Sequence, residues 1–588
     1  MFGKIVYISD NVAHIEIEKG TPVATNLMNL HVIFDDDKKK ILGEIEDIGQ
    51  EIIKVRFLGE IVNNRFMGGV IRKPSLSAKL RIISKEEVGM LVGEDKPGSM
   101  LLGVSPLYDD YPIRVDINDL FSNHMAIFGN TGSGKSCGVA RLLQNLFMTP
   151  GFLPYRANFL IFDAYGEYHN AFREINKLNP NYHFKFYTTN KLEANGNLLK
   201  IPLWLLGIDD WALLLGAENH SQLPIIERML KLVTIFSGND ATSLKYKNHL
   251  IAKAIMSILY TNQTASSKRN DVFRILATCS TDQFNLNAPV KGVGYTRKFR
   301  DCFTIDTAGQ FPESNLMTEY ITGFIDEQLD TYEPTTVNFY TLDDLEKALN
   351  FTLISEGYLN NEETYHDAVT LKVRLHSLVI GENAEYFKMD NFITREDYIR
   401  SLLVVDGKKA QIINFNLEDI EDSFAKCITK IFTKMLFEFT KALKNRASIP
   451  FHIFLEESHR YVQNDNDKFL LGYNIFERVA KEGRKYGLIF NLISQRPVEL
   501  SDTVISQCSS FLIFKMNHPR DIEYIKKMLP NISAEIVEKQ KSLQPGTCVA
   551  FGKAFKVPLI VKMQMPNPEP YSSNCDVVNT WNVNVKKS

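Results

Sequence analysis

Short alternating runs of apolar and polar residues fill the first 95 positions and predict β-strands. In residues 12–18, Ala13, Ile15 and Ile17 fall on one face of a strand, and the more polar positions between them fall on the other. Similar apolar runs follow at 30–34, 41–48, 52–61 and 80–83. Strands at this spacing, separated by turn residues, predict a small β-barrel over residues 1–95, with a β-sandwich as the alternative. A docking role for this module and a purely structural role fit the pattern equally well.

The pattern changes after a turn-rich boundary at residues 94–99. Apolar runs with the length of buried strands now alternate with longer helical stretches, and the runs are 125–128, 159–162, 451–455, 488–493 and 511–514. This alternation is typical of a parallel sheet covered by helices. The predicted fold class is therefore α/β, with a core divided between residues 96–204 and 401–565.

Helical periodicity replaces the strand signals between about residues 205 and 400. Apolar side chains recur on one helical face at Ile225, Met229, Leu232 and Ile235. These positions predict a helical insertion over residues 205–400. A proline-rich run at 566–570 predicts an extended C-terminal tail over residues 566–588, which must lean on another surface to be ordered.

A glycine-rich loop carries the clearest chemical signal in the chain. Residues 129–136 match the phosphate-loop pattern G-x-x-x-x-G-K-[ST] in full, and they lie between a predicted strand and a helical run, as the motif requires. The loop consists of Gly129, Asn130, Thr131, Gly132, Ser133, Gly134, Lys135 and Ser136. Its backbone N–H groups are expected to face the phosphates of a nucleoside triphosphate. Lys135 is predicted to reach the β and γ oxygens, and the Ser136 hydroxyl to bind Mg²⁺.

Two carboxylates close the buried strand at 451–455. Hydrolysis of a nucleoside triphosphate needs one acid to hold the Mg²⁺ shell and another to orient the attacking water. Glu456 is predicted on the metal side and Glu457 beside the water. Aspartate is more usual at the first position, so the longer Glu456 side chain is expected to act through a water molecule. Two solvent-exposed acids at a strand end are the alternative interpretation.

A basic helix and a polar strand end complete the candidate site. Leu471, Ile475 and Val479 recur every four residues and predict one helix, and its polar face includes Arg478 and Arg484. An arginine supplied by a neighbouring subunit can neutralise charge in the transition state. Arg484 is the first choice for this arginine finger and Arg478 the second, and a solvated basic face is the alternative.

Polar residues also follow two other predicted strands. Gln495 comes after the strand at 488–493 and is placed to sense the γ-phosphate. Asp163 and Glu167 come after the strand at 159–162, where either carboxylate could approach the nucleotide, because ligands gather at the carboxyl ends of parallel strands. A structural turn is an equally good interpretation of this segment.

Composition and charge exclude several classes of protein. With 67 Lys and Arg against 70 Asp and Glu, the net charge of −3 excludes a histone-like protein coated in positive charge, although a local basic channel for DNA stays compatible. The seven cysteines include no CxxC pair, which disfavours a zinc ribbon and a disulfide framework. The chain start lacks the layout of a signal peptide, and the most apolar stretch contains three charged residues. A cytoplasmic protein without a membrane segment is expected.

The motifs together resemble the HerA–FtsK superfamily of ring translocases, and HerA most closely. The resemblance rests on the β-rich start and on residues 129–136, 162–168, 455–459, 483–487 and 494–497 in this order. It implies a RecA-like P-loop core that binds ATP and Mg²⁺ and assembles as a homohexamer around a channel for double-stranded DNA. It also implies that the N-terminal barrel caps the ring and that a C-terminal brace reaches a neighbouring subunit.

The same resemblance implies a prokaryotic, cytoplasmic protein that works with a separate nuclease or NADase-type effector protein in DNA end processing or anti-phage defence. The leading hypothesis is an ATP-driven DNA translocase or helicase. The alternative is an ATP-binding ring scaffold that assembles and gates an effector enzyme without obligatory DNA translocation. A secretion motor of the conjugation type needs a membrane attachment that the sequence does not show.

Overall fold

The N-terminal strands follow from the alternation in the sequence. A computed structural model describes residues 2–18, 27–36, 39–63, 65–193, 196–238, 240–331, 338–358, 362–528, 540–572 and 577–581. The N-terminal strands are β1 (Phe2–Ser9), β2 (Val12–Ile17), β3 (His31–Asp36), β4 (Lys39–Ile48), β5 (Ile52–Val62), β6 (Arg65–Gly68) and β7 (Lys79–Ile82). In β2, Ala13, Ile15 and Ile17 are buried, as the pattern predicts.

These seven strands form one sheet in the order β1-β2-β5-β4-β3-β7, with β6 paired to β5. The neighbouring strands are antiparallel. The pairings within the described residues follow an open path from β1 to β7, and the closed barrel stays a prediction.

The first half of the core begins with a capped helix, because Ser84 and Glu87 each accept the other's backbone N–H. The helices are α1 (Lys85–Val92), α2 (Ile117–Phe121), α3 (Lys135–Phe147) and α4 (His169–Phe172). The strands are β8 (Ser99–Ser105), β9 (Tyr111–Asp116), β10 (Met125–Phe128), β11 (Phe159–Asp163), β12 (Phe184–Thr188) and β13 (Asn197–Leu198). The helix α3 follows directly from the glycine-rich loop.

The described residues group into two compact units, and the smaller one comprises Leu198–Tyr398 with Asn466–Tyr473. It contains α5 (Ile208–Leu214), α6 (Gln222–Phe236), α7 (Ala241–Leu259), α8 (Ala265–Cys279), a hairpin of β14 (Pro289–Gly292) and β15 (Tyr295–Lys298), α9 (Ser314–Thr322), α10 (Leu342–Ser355) and α11 (Glu362–Ile380). Ile225, Met229, Leu232 and Ile235 are buried along α6, as their spacing predicts. Helices therefore dominate where the helical insertion is predicted.

The larger unit takes up the rest of the chain, from Met1 to Asn197, Ile399 to Asp465 and Asn474 to Ser588. After α12 (Arg395–Leu402), the strands are β16 (Val404–Val405), β17 (Lys408–Lys409), β18 (Ile412–Asn416), β19 (Phe451–Leu455), β20 (Leu488–Ser494), β21 (Ser510–Phe514), β22 (Thr547–Gly552) and β23 (Leu559–Lys562). The helices are α13 (Asp422–Ala442), α14 (Asp467–Leu471, in the smaller unit), α15 (Ile475–Glu482), α16 (Asp502–Ile505), α17 (Pro519–Met528) and α18 (Val577–Trp581).

Twelve strands build the core sheet, in the order β13-β12-β18-β11-β19-β20-β10-β21-β22-β23-β8-β9. The strands from β12 to β21 are parallel to their neighbours, and those from β21 to β9 are antiparallel. All five predicted buried strands lie in the parallel part, which confirms the α/β class. The carboxyl ends of β10, β20, β19 and β11 therefore meet at one edge of the sheet, where such folds bind ligands.

The stretch predicted as one basic helix is two helices, so that prediction is wrong. The helix α14 ends at Leu471, and Gly472 has a φ of +79°, a left-handed conformation that stops the helix. Asn474 then starts α15, because its side chain accepts the Glu477 N–H at 3.2 Å. Glu477, the residue before Arg478, is buried and accepts a hydrogen bond from the Ser501 hydroxyl at 3.1 Å.

The proline-rich tail leans on this chain's own helix α3. The Gln144 side chain, buried on α3, accepts the Asn567 N–H at 2.9 Å and donates to the Pro568 carbonyl oxygen at 2.9 Å. We call residues 564–572 the strap. Its contacts lie within one chain, and a brace that reaches a neighbouring subunit stays a prediction. Among the described residues, no helix combines the length and the apolar character that crossing a bilayer requires.

Candidate active site

The glycine-rich loop is fixed by the two strands that flank β10. The Gly129 N–H donates to the Ser494 carbonyl oxygen at 3.3 Å, and the Asn130 N–H donates to the Lys515 carbonyl oxygen at 2.9 Å. At Gly134 the φ is +95°, and a Cβ atom there would lie 2.7 Å from the Gly546 nitrogen. Only glycine fits this position, because both the backbone conformation and the space exclude a side chain. The loop thus takes a defined curve into the N-terminus of α3.

Lys135 lies inside the site rather than on its surface. It is 6% exposed, and burial lowers the pKa of its ammonium group, while attraction to Glu457, Glu456 and Glu167 raises it in part. A buried ammonium group binds phosphate oxygens strongly, because the bond is charge-assisted and little water competes for it. This placement agrees with the predicted role of Lys135.

The paired carboxylates of the acidic strand end are both buried. Glu456 and Glu457 are each 3% exposed, so the alternative of two solvent-exposed acids does not hold. Glu457 has a φ of +45°, a conformation that non-glycine residues adopt rarely and mainly at functional sites. Burial, together with repulsion from Asp163 and Glu167, raises the pKa of Glu456 well above its usual value.

A chain of hydrogen bonds connects the phosphate loop to Glu457. The Thr131 hydroxyl donates to Gln495 Oε1 at 2.6 Å, and Gln495 Nε2 donates to Glu457 Oε1. The other carboxylate oxygen of Glu457, Oε2, lies 3.3 Å from His459 Nδ1. Three predicted site residues from three separate segments are therefore brought together at the edge of the sheet.

The segment after β11 forms a structural turn and also brings a carboxylate to the nucleotide edge, which are the two interpretations that its sequence left open. Asp163 makes a structural turn, because its carboxylate accepts the N–H groups of Glu167 at 3.0 Å and Tyr168 at 2.9 Å. The turn brings Glu167 to the nucleotide edge, where its carboxylate is close enough to Lys135 to raise the pKa of that ammonium group. Burial raises the pKa of Glu167, and the positive charge of Lys135 partly offsets this. Of the two carboxylates that the sequence analysis considered for an approach to the nucleotide, Asp163 holds the turn and Glu167 lies near Lys135.

The oxygen atoms at this edge fit Mg²⁺. Ser136, Glu456 and Glu167 supply the hard oxygen donors that Mg²⁺ prefers, and Oε2 of each carboxylate is buried with no hydrogen-bond partner among the described residues. In the part of the chain that the structure describes, no group of three or more His, Cys, Asp or Glu side chains could hold a metal ion. Mg²⁺ bound through one or two protein oxygens, waters and phosphates is the usual arrangement at nucleotide sites.

The predicted finger arginines lie away from the phosphate loop of their own chain. Arg484 precedes β20, whereas Gln495 follows it, and a strand of seven residues spans about 20 Å. Arg484 also helps to lower the pKa of His124, just before β10, to about 4, although burial is the main cause. The Arg478 guanidinium lies 5.7 Å from the centre of the Phe437 ring.

One arginine near the acidic edge was missed by sequence reasoning. Arg460 lies three residues after Glu457, and its guanidinium is 5.6 Å from the centre of the Tyr165 ring. It also forms an ion pair with Asp422. Its position in the turn after β19 was the available signal. This chain therefore places one arginine of its own in the turn beside the acidic strand end, and Asp422 balances its charge.

Comparisons with known proteins agree with this geometry. Residues 88–285 match the model of the family described as "Helicase HerA, central domain". A probable helicase of Methanocaldococcus jannaschii is 24% identical over 564 residues, which cover 94% of this chain and 84% of the relative. The DNA double-strand break repair helicase HerA of Saccharolobus solfataricus is 23% identical over 535 residues, which cover 90% of this chain and 80% of the relative.

Two solved structures are similar to this chain at a lower sequence identity. VirB4 of Thermoanaerobacter pseudethanolicus is 12% identical with a TM-score of 0.45, over 80% of this chain and 98% of that one. The bacterial conjugative coupling protein TrwB is 13% identical with a TM-score of 0.42, over 83% of this chain and 94% of that one.

Proposed function

We propose that this chain, an ATP-hydrolysing enzyme of the HerA type, forms a homohexameric ring that moves double-stranded DNA. The proposal draws support from the relatives named as DNA double-strand break repair helicases, which align with most of this chain. The observation that carries it is the position of Arg484, at the opposite edge of the sheet from the phosphate loop.

A ring arrangement accounts for that position. In one subunit, Arg484 and the phosphate loop are separated by about the length of β20, so the arginine cannot reach its own γ-phosphate. A head-to-tail arrangement of identical subunits brings the amino edge of one sheet to the carboxyl edge of the next, and it closes into a ring when the rotation allows. Arg484 of one subunit then completes the site of its neighbour.

Each side chain at the carboxyl edge has a distinct task in this proposal. Glu457 accepts a hydrogen bond from the attacking water and aligns it with the γ-phosphate, and Gln495 holds Glu457 in that position. Lys135 and the loop amides bind the phosphate oxygens, and the arginine finger from the neighbour neutralises the charge that develops on them. Ser136 and Glu456, with Glu167 beside them, are placed to hold Mg²⁺, which supplies further charge neutralisation at the phosphates.

The test is ATP hydrolysis by the purified protein with and without linear duplex DNA, at low and at moderate salt. We expect DNA to stimulate hydrolysis, and the stimulation to fall steeply as salt rises, because phosphate contacts release counterions. The Lys135→Ala variant measures the background. Hydrolysis that is the same with and without DNA would reject the motor and favour the ATP-binding scaffold that assembles and gates an effector enzyme.

The partner and the process follow from the family resemblance alone. We propose a separate nuclease or NADase-type effector protein as the partner, in DNA end processing or anti-phage defence in the prokaryotic cytoplasm. Co-purification of the tagged chain with the products of its neighbouring genes, followed by a nuclease assay with and without ATP, tests this part. The absence of any co-purified nuclease or NADase would contradict it.

A further inference from the structure

The strap ends beside the candidate nucleotide site. It starts at Gln564, runs along α3 through its contacts with Arg141 and Gln144, and continues past Asn170, which donates to the Glu569 carbonyl oxygen at 2.8 Å. The Tyr571 N–H then donates to the Glu167 carbonyl oxygen at 2.8 Å. The next residue, Ser572, has its hydroxyl oxygen 3.9 Å from the Cys137 sulfur.

The contacts of Tyr571 and Ser572 mark the end of the site where the base of a nucleotide must lie. Glu457 and Gln495 mark the γ-phosphate end, because they follow the strands beside the loop. The loop amides hold the α- and β-phosphates, so the α-phosphate lies toward the first turn of α3, which contains Ser136 and Cys137. The ribose and base extend outward from the α-phosphate. The strap reaches this first turn through Ser572.

Tyr571 has the properties of a base-stacking residue. Its backbone is fixed by the hydrogen bond to Glu167, and its side chain is 58% exposed, so one large aromatic surface is open to a ligand. A base can stack on such a ring whatever its hydrogen-bonding pattern, because every base has a π-face. The neighbouring buried prolines, Pro566 and Pro570, limit the movement of the strap.

We propose that Tyr571 stacks on the adenine of ATP and that the end of the strap, residues 570–572, forms the base-side wall of the nucleotide site. This inference rests on the proposed function only in so far as the phosphate loop binds ATP. It assigns the tail a role in binding the nucleotide of its own subunit, which is separate from any contact with a neighbouring subunit.

The test compares two ligands that share phosphates and differ in the base. The affinities of the full-length protein for ADP and for inorganic triphosphate are measured by calorimetry in the wild type, in Tyr571→Ala and in Tyr571→Phe. We expect Tyr571→Ala to weaken ADP binding about tenfold, since stacking on an aromatic side chain has that order of effect. Triphosphate binding should be unchanged, and Tyr571→Phe should bind both ligands as the wild type does.

The matched control is Met565→Ala, which removes another exposed side chain of the strap and leaves its backbone contacts in place. It should bind ADP as the wild type does. Unchanged ADP affinity in Tyr571→Ala would overturn the proposal. Equal losses for ADP and triphosphate would also overturn it, because they would indicate a displaced strap rather than a lost stacking contact. A wild type that binds neither ligand would overturn the ATP site itself, and so the proposed function as well.

Discussion

Gln495 donates a hydrogen bond from its side-chain amide to the carboxylate of Glu457, and its carbonyl oxygen accepts one from Thr131. The residue that we assign to the attacking water is therefore connected to the loop that binds the phosphates. Movement of the phosphate loop and reorientation of the Glu457 carboxylate cannot be independent, because a single amide group bonds to both.

Replacement of Gln495 should reduce turnover more than nucleotide affinity. In Gln495→Ala, Glu457 loses the donor that orients it, and we expect kcat to fall roughly 10- to 100-fold, with the affinity for ADP changed less than twofold. Gln495→Glu should be more harmful, because it places two carboxylates in contact. Steady-state hydrolysis and ADP titration measure the two effects. Gln507→Ala, at a half-buried glutamine after α16, is the control, and equal kcat values in Gln495→Ala and this control would refute the assignment.

A mixture of two inactive variants should recover hydrolysis. An Arg484→Ala subunit still has Glu457, and a Glu457→Gln subunit still has Arg484. An interface is therefore intact when the Arg484→Ala subunit binds the nucleotide and the Glu457→Gln subunit supplies the arginine. With random assembly, about a quarter of the interfaces have this composition, which sets an upper limit for recovery.

The control for this mixing experiment uses Lys135→Ala. When Lys135→Ala subunits are mixed with Arg484→Ala subunits, hydrolysis should recover, because the Lys135→Ala subunits still supply Arg484. Mixed with Glu457→Gln subunits, they should stay inactive, because both defects affect the nucleotide holder. If Arg484→Ala is not rescued by either partner, Arg484 does not act across the interface.

Acid should destabilise the core through a buried histidine on β19. His452 lies beside the rings of Phe121 and Phe159, and burial lowers its pKa to about 3. As the pH falls, the unfolded chain therefore takes up a proton near pH 6.5, before the folded chain does. The contribution of the neutral imidazole to the free energy of unfolding is lost as the pH falls from about 6.5 toward 3.

His452→Phe should remove this part of the acid sensitivity. When the pH falls from 6.5 to 5, the free energy of unfolding of the variant should rise by about 2 kcal/mol relative to that of the wild type. The change in melting temperature between pH 7 and pH 5 measures the effect, and His220→Phe, at an exposed histidine, is the control. A pH dependence identical to that of the wild type would contradict the prediction. Buried His124, whose pKa is about 4, keeps some acid sensitivity in the variant.

Gln144 should determine whether the strap stays attached. Gln144→Leu leaves the Asn567 N–H and the Pro568 carbonyl oxygen without their partner, at a cost of about 1–3 kcal/mol for each group that stays buried. We expect a protease to cut within residues 564–572 at least about tenfold faster, while the rest of the chain resists cleavage. Glu569→Ala changes only an exposed side chain of the strap and should be cut at the wild-type rate. Equal cleavage rates in the two variants would show that Gln144 does not hold the strap.

The core strands could be predicted from sequence because each is a mainly apolar run that ends at a polar residue or a glycine, with His452 in β19 and Asn491 in β20 as polar positions inside the runs. The bounds of β10 and β19 agree with the prediction. The strand β11 is longer by Asp163, because Asp163 pairs with Asn416 of β18, and its buried carboxylate is satisfied by the amides of the following turn. The edge on which the polar residues meet follows from the parallel arrangement, so the approach of Glu457 and Gln495 to the phosphate loop could also be anticipated.

Other features depend on contacts that no local pattern encodes. The four-residue spacing of Leu471 and Ile475 is real, but the left-handed Gly472 and the Asn474 cap separate them into two helices. The strap is held by Gln144, a residue more than 400 positions earlier in the chain. Glu167 lies near Lys135 because the Asp163 carboxylate accepts its backbone N–H and so fixes the turn after β11.

The order of strands in the core sheet has a consequence for synthesis of the protein. The phosphate loop is encoded early in the chain, yet its amides bond to Ser494 and Lys515, and β8 pairs with β23 close to the end. A nascent chain on the ribosome therefore cannot shape this loop until nearly the whole sequence has emerged. Long-range pairing of this kind slows folding and leaves apolar strands uncovered in the meantime. ATP cannot assist the early stages, so we expect chaperones to protect the first half of the core during translation.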